Sequence, residues 1–189
     1  DQFKLNIAQD TTKVLLEPSQ LKGLDQDFID NLASDDQGNK ILTLAYPTYF
    51  AVMQNCSVTD TRKKMFIAFN QRAYPANKLL LSEIIAKRDL LAKKLGFAHY
   101  ADYDLESQMV ETAAQAEQFI NDLIDRVKPK ALQEVQALTK ELPDSVKLSD
   151  AGKLLPWDYS YVHNYYKQQY LSVDENKIAE YFSMEKTIA

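Results

Sequence analysis

"NKLLLSEIIAKRDLLAKKLGF", residues 77–97, is the stretch that decides the fold class. Its apolar residues recur every three or four positions, so they fall on one side of a helix and the charged residues on the other. This apolar set is Leu80, Leu81, Ile84, Ile85, Leu91 and Leu95. Gly96 suits the left-handed position that follows many helices, and Phe97 can then fold back onto the last turn. The sequence therefore predicts an amphipathic helix that ends just before Gly96.

A second periodic stretch follows this helix. Residues 98–109 predict a short helix, after which Thr112 and Gln115 form a capping box that begins a long one. The stripe expected to be buried consists of Ala116, Phe119, Ile120, Leu123, Ile124 and Val127, and it resumes at Leu132, Val135, Leu138 and Leu142. Pro129 lies between the two parts, and proline removes a backbone donor and clashes with the preceding turn. We therefore expect two helical pieces that meet near Lys128.

The first fifty residues are less regular than the rest of the chain. Residues 13–17 (KVLLE) and 40–46 (KILTLAY) are candidates for a pair of short strands, and Asp25 is a candidate N-cap for a short helix between them. Ser172 and Glu175 form another capping box, which predicts a last helix. The fold class is therefore mainly α, a multi-helix lobe with a short β pair near the N-terminus. We expect residues 1–189 to form a single lobe, with an irregular entry over 1–50 and a helical body over 51–189.

Composition and charge exclude several classes of protein. The 189 residues are 46% apolar and carry a net charge of -5, which opposes a role in binding nucleic acid. The basic clusters at 62–64 and 93–94 are short and are expected to be solvated helix faces. No apolar run reaches the ~20 residues that a membrane span requires. The single cysteine, Cys56, excludes an internal disulfide and is expected to be a buried free thiol.

The residues alone indicate no catalytic centre. A zinc-peptidase helix needs two histidines four residues apart with a glutamate after the first. His163 is instead followed by Asn164 and, at the fourth position, by Lys167, and His99 has no partner at that spacing either. With four glycines and no G-x-S-x-G motif, neither a phosphate-binding loop nor a serine nucleophile is indicated. We therefore assign no catalytic residue and no metal ligand to this chain.

The segment WDYSYVHNYYKQQY, residues 157–170, is the strongest candidate for binding. As a helix it would place Trp157, Tyr161 and Tyr165 along one stripe. A neighbouring stripe would consist of Tyr159, Val162, Tyr166 and Tyr170. Both stripes could pack against other helices, or one could line a groove where tyrosine hydroxyls bond a peptide backbone. The candidate substrate-binding residues are accordingly Trp157, Tyr161 and Tyr165.

Several motifs together carry a family resemblance. They are Leu95-Gly96-Phe97, Tyr100-Ala101-Asp102-Tyr103, Met109, Trp157-Asp158 and Tyr181-Phe182, in that order along the chain. The chain resembles the helical N-terminal portion of the thimet oligopeptidase family of zinc metallopeptidases, which includes oligopeptidase A and bacterial dipeptidyl carboxypeptidase. The upstream stretch LTLAYPTYFAVMQNCSVTDTRKKMFIAF, residues 42–69, is similar to the dipeptidyl carboxypeptidase branch.

The resemblance implies a part in the hydrolysis of short peptides. The resemblance implies the neurolysin-like architecture of this family, in which two helical lobes lie beside a deep, narrow channel. In the family, the zinc-binding H-E-x-x-H helix and the third zinc ligand, a glutamate, lie downstream of the segment that this chain resembles. The resemblance thus implies that zinc belongs to a longer parent protein, that this chain holds no zinc, and that the chain alone is inactive. The alternative is a stand-alone helical module that binds a peptide or a protein.

The partners follow from the same resemblance. They are short peptides and the missing catalytic half of the same polypeptide, with neither nucleic acid nor a membrane. A fragment would expose the apolar face on which its missing half docks, so dimerisation through that face is expected. We expect a cytoplasmic protein, with a periplasmic or secreted one as the alternative because the chain opens on Asp1 without an initiator methionine.

Overall fold

The computed structural model describes residues 1–172, 178, 181 and 182, and in these residues the protein is mainly helical with a two-stranded sheet. The elements in chain order are α1 (Gln2–Ala8), β1 (Lys13–Leu16), a 3-10 helix (Pro18–Leu21), α2 (Gln26–Asp30), β2 (Lys40–Thr43), α3 (Tyr46–Asn55), α4 (Thr59–Asn70), α5 (Ala76–Lys94), α6 (Tyr100–Leu105), α7 (Ala113–Leu138) and α8 (Tyr159–Tyr170). The predicted fold class is confirmed. The helix predicted from Ser172 onward lies outside the described residues.

The chain folds as two compact units. The first unit comprises residues 1–10 and 71–136, and the second comprises residues 11–70 and 137–189. The N-terminal helix α1 thus belongs to the same unit as the middle of the chain. That residues 1–189 form one lobe of a larger protein stays a prediction.

In the first unit, α1 packs along the start of α5 through side-chain amides. Asn6 Nδ2 donates to Asn77 Oδ1 at 2.8 Å, and Asn77 Nδ2 donates to the carbonyl of Phe3 at 2.9 Å. Asp10 Oδ2 accepts a hydrogen bond from the backbone N–H of Ala73 at 2.7 Å. A buried amide that both donates and accepts avoids the cost of an unpaired polar group, so this pairing fixes how α1 lies on α5.

The C-terminus of α5 is formed as the sequence predicts. Gly96 has a φ of +90°, and the N–H of Phe97 donates to the carbonyl of Ala92 at 3.0 Å while that of Gly96 donates to Lys93 at 3.2 Å. These two bonds define a Schellman motif, which satisfies carbonyls at the helix end. Phe97 then packs edge-on against Tyr103 of α6, with 5.5 Å between ring centroids.

The start of α7 is held by two polar side chains. Asp102 Oδ1 accepts a hydrogen bond from the N–H of Ala113 at 2.9 Å, and Thr112 Oγ1 accepts one from the N–H of Gln115 at 3.2 Å. The first N–H groups of a helix have no partner within the helix, so these contacts satisfy donors that would otherwise depend on water. The predicted N-terminus of the long helix is confirmed.

The prediction of two helical pieces meeting near Lys128 is wrong. α7 runs without a break from Ala113 to Leu138 and contains Pro129 in its interior. Proline costs about 3 kcal/mol in a helix interior, but its fixed φ is itself helical, so one missing hydrogen bond does not force the chain to turn. Good helix formers flank the proline on both sides and continue the helix past it.

The apolar stripe of α7 is exposed from Phe119 to Val135, which corrects the prediction that it is buried there. Its continuation is buried as predicted, since Leu138 belongs to a small core cluster against which Leu142 packs. Phe119 is 64% exposed, and the other side chains are near half-exposed: Ile120, Leu123, Ile124, Val127, Leu132 and Val135. On α5, Leu81, Ile85 and Leu91 are exposed in the same way, as is Leu95 directly after the helix. Periodicity predicts correctly that one face is apolar, but it does not say what covers that face. We call the exposed set on α7 the α7 stripe.

The second unit contains the main hydrophobic core. β1 and β2 pair antiparallel, with Lys13 opposite Thr43 and Leu16 opposite Lys40. The core residues are Leu16, Leu21, Leu42, Leu44, Tyr49, Val52, Met53, Cys56 and Met65. The predicted strand pair is confirmed, and so is the short helix α2, whose N-cap Asp25 accepts a hydrogen bond from the N–H of Phe28 at 3.1 Å.

The free cysteine belongs to this core. Cys56 is fully buried and its Sγ donates to the carbonyl of Gln20 at 3.4 Å. Burial raises the pKa of the Cys56 thiol, because the thiolate would lie away from water. The prediction of a buried free thiol is confirmed, and its raised pKa makes it a poor nucleophile.

Among the described residues, no helix is long and apolar enough to cross a lipid bilayer.

Candidate functional site

A polar groove of about 260 Å³ lies in the second unit beside α8. One wall consists of Tyr161, Asn164, Tyr165 and Gln168, which follow one another at i, i+3, i+4 and i+7 on a single face of α8. The opposite wall consists of Gly23, Gln54, Asn55 and Ser57. We call this feature the α8 groove. All of its lining side chains are uncharged, and most carry an amide or a hydroxyl.

Asn164 fixes α8 against the end of α3. Its Nδ2 donates to the carbonyl of Gln54 and to Oδ1 of Asn55, each at 3.1 Å. Asn55 is oriented in turn, because its own Nδ2 donates to the carbonyl of Ala51 at 3.1 Å. With both hydrogens of its amide engaged, Asn164 keeps Oδ1 as an acceptor for a ligand.

The other wall depends on a close approach at Gly23. Ser57 donates to the carbonyl of Lys22 from its N–H at 2.8 Å and from Oγ at 3.0 Å, which draws the loop after the 3-10 helix onto the end of α3. Gly23 has a φ of +90°, and a Cβ there would lie 2.5 Å from the carbonyl oxygen of Asn55. Glycine is therefore required on two grounds, conformation and space.

Tyr161 is held from behind by a buried arginine. The guanidinium carbon of Arg62 lies 4.1 Å from the centroid of the Tyr161 ring, within range of a cation–π interaction. Arg62 is 0% exposed and forms an ion pair with Asp158, which is also 0% exposed, with 2.5 Å between Nη2 and Oδ1. It also donates through Nη1 to the carbonyl of Cys56 at 2.5 Å and through Nη2 to Oγ1 of Thr59 at 2.9 Å.

This arrangement corrects the prediction that the basic cluster at 62–64 is solvated. Lys63 and Lys64 are exposed, but Arg62 faces the interior of the second unit. A buried guanidinium is stable only when its donors are engaged, and here Asp158, Cys56 and Thr59 take them. The ion pair thus ties α4 to the start of α8.

The Asp158 carboxyl has fewer hydrogen-bond partners than the Arg62 guanidinium. Burial raises its pKa, while the hydrogen bond and positive charge of Arg62 act in the opposite direction. Its second oxygen, Oδ2, is buried and accepts no hydrogen bond from the described residues. Arg62 is therefore the group that favours the ionised form of Asp158.

The structure separates the three candidate substrate-binding residues. Tyr161 and Tyr165 lie together in the α8 groove. Trp157 precedes the first residue of α8 and packs against the main core, edge-on to Phe66 with 6.3 Å between ring centroids. Nζ of Lys63 lies 5.1 Å from the Trp157 ring. Trp157 therefore lies outside the groove walls, whereas the two tyrosines form part of them.

Two groove residues were missed by the sequence reasoning. Asn164 and Gln168 lie on the same face as Tyr161 and Tyr165, but the prediction considered only the aromatic residues of this segment. The signal that could have found them is the mixed polar stripe at i, i+3, i+4 and i+7. The opposite wall gave no signal, since it comes from residues more than a hundred positions earlier in the chain.

Comparison with known proteins places the chain in a family. A sequence model of peptidase family M3 matches residues 52–189, which is most of the chain. The chain belongs to peptidase family M3. Its similarity to saccharolysin of Saccharomyces cerevisiae is 33% identity over 98% of this chain, and to the thimet-like oligopeptidase of Dictyostelium discoideum 30% over 98%. Oligopeptidase A of Escherichia coli is 27% identical over 100% of this chain.

The M3 chain is much shorter than these relatives. It spans 27% of the length of saccharolysin and 29% of that of oligopeptidase A. The family match contains α8, Arg62 and Asp158, while Gly23 precedes it. The likeness to the three oligopeptidases extends over that earlier part as well.

The zinc that the family resemblance implies has no matching donor set among the residues that the structure describes. Within residues 1–172, 178, 181 and 182, no three His, Cys, Asp or Glu side chains lie close enough to hold one metal ion. His163 is exposed and stacks on Tyr159, with 6.3 Å between ring centroids, and His99 precedes α6. These residues do not fit a zinc centre, so no catalytic step is assigned to them.

Proposed function

We propose that this M3 chain is the non-catalytic helical part of a zinc-dependent oligopeptidase or peptidyl-dipeptidase, a part that lines the substrate channel for short peptides. The names of its relatives support a peptidase acting on short peptides. In this proposal the zinc ligands and the catalytic base come from the rest of the polypeptide. The proposed contacts to substrate are Tyr161 and Tyr165, which line the α8 groove.

The observation that carries the proposal is the exposed α7 stripe. A soluble monomer rarely exposes a contiguous apolar patch beyond ~300–600 Å². The stripe follows one face of a 26-residue helix, and its side chains are between 38% and 64% exposed. The residues absent from this chain, which make up most of each relative's length, are the proposed cover.

We further propose that the protein belongs to the dipeptidyl carboxypeptidase branch of the family. The support is the similarity of residues 42–69, which form β2, α3 and α4 and contribute Gln54, Asn55 and Ser57 to the groove. A dipeptidyl carboxypeptidase releases dipeptides from a free C-terminus. Mass analysis of products from a free and an amidated peptide tests this, since internal cleavage of both would place the protein outside that branch.

The isolated 189-residue chain should not hydrolyse peptides. The full-length polypeptide should cleave a quenched fluorescent peptide and lose that activity on addition of a chelator, whereas the isolated chain should show no turnover above buffer. The reason is the lack of a fitting donor set in the described residues. Chelator-sensitive turnover by the isolated chain, or its absence from the full-length protein, would overturn the proposal.

The isolated chain should also bind an environment-sensitive apolar dye and self-associate as its concentration rises. Leu123→Lys, in the middle of the α7 stripe, should reduce dye fluorescence and shift the chain toward monomer, because a charge interrupts the patch. Asn121→Lys is the matched control, since it adds the same charge on the polar face of α7. Equal effects of the two changes would contradict a role for the stripe.

A stand-alone binding module remains the second candidate, and the α8 groove is the observation in its favour. Such a module would use the groove without any further polypeptide. It would also need its apolar surface covered, so a monomer without dye binding would favour it. A cytoplasmic location belongs to the first proposal.

A further inference from the structure

We infer that the α8 groove binds peptide main chain in an extended conformation, independently of the peptide's side chains. This inference rests on the proposed function and names what the groove recognises. It assigns two contact residues that the aromatic pattern did not indicate, Asn164 and Gln168.

The chemistry of the walls selects the ligand. No charged side chain lines the groove among the described residues, so phosphates, carboxylates and cations find no counter-charge there. The lining amides and hydroxyls both donate and accept hydrogen bonds. Peptide N–H and C=O groups are the complementary pair, and they repeat along every peptide whatever its sequence.

Several hydrogen-bonding groups that line the groove are available to a ligand. The hydroxyls of Tyr161 and Tyr165 and the amide of Gln168 have no hydrogen-bond partner among the described residues, although they line a polar cavity. Asn164 has both hydrogens engaged with α3, which leaves its oxygen to accept from a peptide N–H. Hydrogen-bond donors and acceptors therefore lie along the groove-facing side of α8, where a ligand can bind them.

The walls are also fixed before a ligand arrives. Arg62 holds the Tyr161 ring from the buried side, and Asn164 is anchored to two positions on α3. Side chains that are already ordered lose less conformational entropy on binding. A groove with such walls can hold a neutral ligand without the help of charge.

The dimensions fit a short extended segment. Tyr161 to Gln168 spans seven residues of helix, or about 10 Å at ~1.5 Å per residue. An extended peptide rises ~3.3 Å per residue, so about three residues lie along this stripe. The volume of about 260 Å³ is below the ~300–1,000 Å³ of pockets that enclose whole small molecules. The groove therefore suits one segment of a longer peptide.

The test compares two double variants of the full-length polypeptide. Tyr165→Phe with Gln168→Ala removes a hydroxyl and an amide from the groove. Tyr159→Phe with Gln169→Ala makes the same chemical changes on exposed positions of α8 outside the groove. All four positions are at least partly exposed, so we expect unchanged unfolding midpoints; the single change Gln168→Ala replaces the double variant if its midpoint falls.

Binding is measured by calorimetry with an alanine peptide that is acetylated and amidated, in the presence of a chelator to prevent turnover. The groove variant should bind about tenfold more weakly than wild type, the effect of two lost neutral hydrogen bonds. The control variant should bind as wild type does. Wild-type binding should also stay constant from about 50 to about 500 mM salt, since screening acts on charges.

The outcomes separate this inference from the proposed function. Equal affinity of wild type and groove variant, or no binding of the blocked peptide to wild type, would overturn the inference, and so would a strong loss of affinity in high salt. Peptide hydrolysis by the wild-type polypeptide is measured separately with a free peptide. Hydrolysis without groove binding would leave the proposed function standing, whereas groove binding without hydrolysis would leave only the inference.

Discussion

Replacing Arg62 by methionine should destabilise the second unit by about 3–5 kcal/mol, the usual cost of removing one partner of a buried ion pair. Methionine keeps much of the volume of the side chain but leaves Asp158 buried without its cation. It also leaves the carbonyl of Cys56 without a donor. Urea unfolding followed by fluorescence measures this, because Trp157 is the sole tryptophan and packs beside the core of that unit.

A control and a double variant make this result specific. Lys64→Met lies two residues along α4 on an exposed position and should change stability by no more than about 0.5 kcal/mol. Arg62→Met combined with Asp158→Leu should recover part of the loss, since no unpaired charge then remains buried. A loss below about 1 kcal/mol for Arg62→Met alone would mean that water reaches Asp158 despite its burial.

The cost of Arg62→Met should also depend on pH. Burial raises the pKa of Asp158 above 3.8, and Arg62 opposes that rise, so the pKa should rise further in the variant. Between 3.8 and the folded-state pKa the folded chain binds more protons than the unfolded chain, and stability therefore falls as pH rises. The difference in stability between wild type and variant should accordingly shrink as the pH falls toward 3.8, because Asp158 becomes neutral at a higher pH in the variant than in the wild type. A gap that widens toward low pH would contradict this.

Local signals made much of the fold predictable. The Schellman motif at Gly96 and the N-cap Asp25 each depend on residues within a few positions of one another, so the printed sequence contains all of their parts. The two strands were also predictable, because short apolar runs flank turn-forming residues. The interior Pro129 was misjudged because a propensity was taken to outweigh the helix formers on both sides of it.

Long-range contacts were beyond the reach of the sequence. Arg62 and Asp158 are 96 residues apart, so nothing in the cluster at 62–64 indicates which of its cations is buried. Asn164 and Gln54 are 110 residues apart, and only folding brings the two walls of the groove together. The exposure of the α7 stripe has another cause, since periodicity reports an apolar face but not its partner.

Replacing Gly23 by alanine should destabilise the second unit by about 3 kcal/mol. Its φ of +90° costs an L-residue about 1–2 kcal/mol, and the new Cβ would lie 2.5 Å from the Asn55 oxygen and 3.0 Å from the Ser57 nitrogen. Both are backbone atoms, which cannot rotate away, so the loop or the end of α3 must shift at a further cost of about 1–3 kcal/mol. Urea unfolding with the Trp157 signal measures the loss.

Gly38→Ala separates the two contributions to that loss. Gly38 has a φ of +83° in the same unit, but a Cβ there would meet nothing within 4 Å, so it should show the conformational cost alone. The additional loss of stability in Gly23→Ala then measures how firmly the loop at Lys22 is held against α3. The shift of the loop in this variant should also weaken binding of the blocked peptide, because Gly23 and Asn55 belong to one wall of the groove. Equal losses for the two alanine variants would show that this wall yields easily, and a wall that yields cannot hold the α8 groove in one shape before a peptide enters.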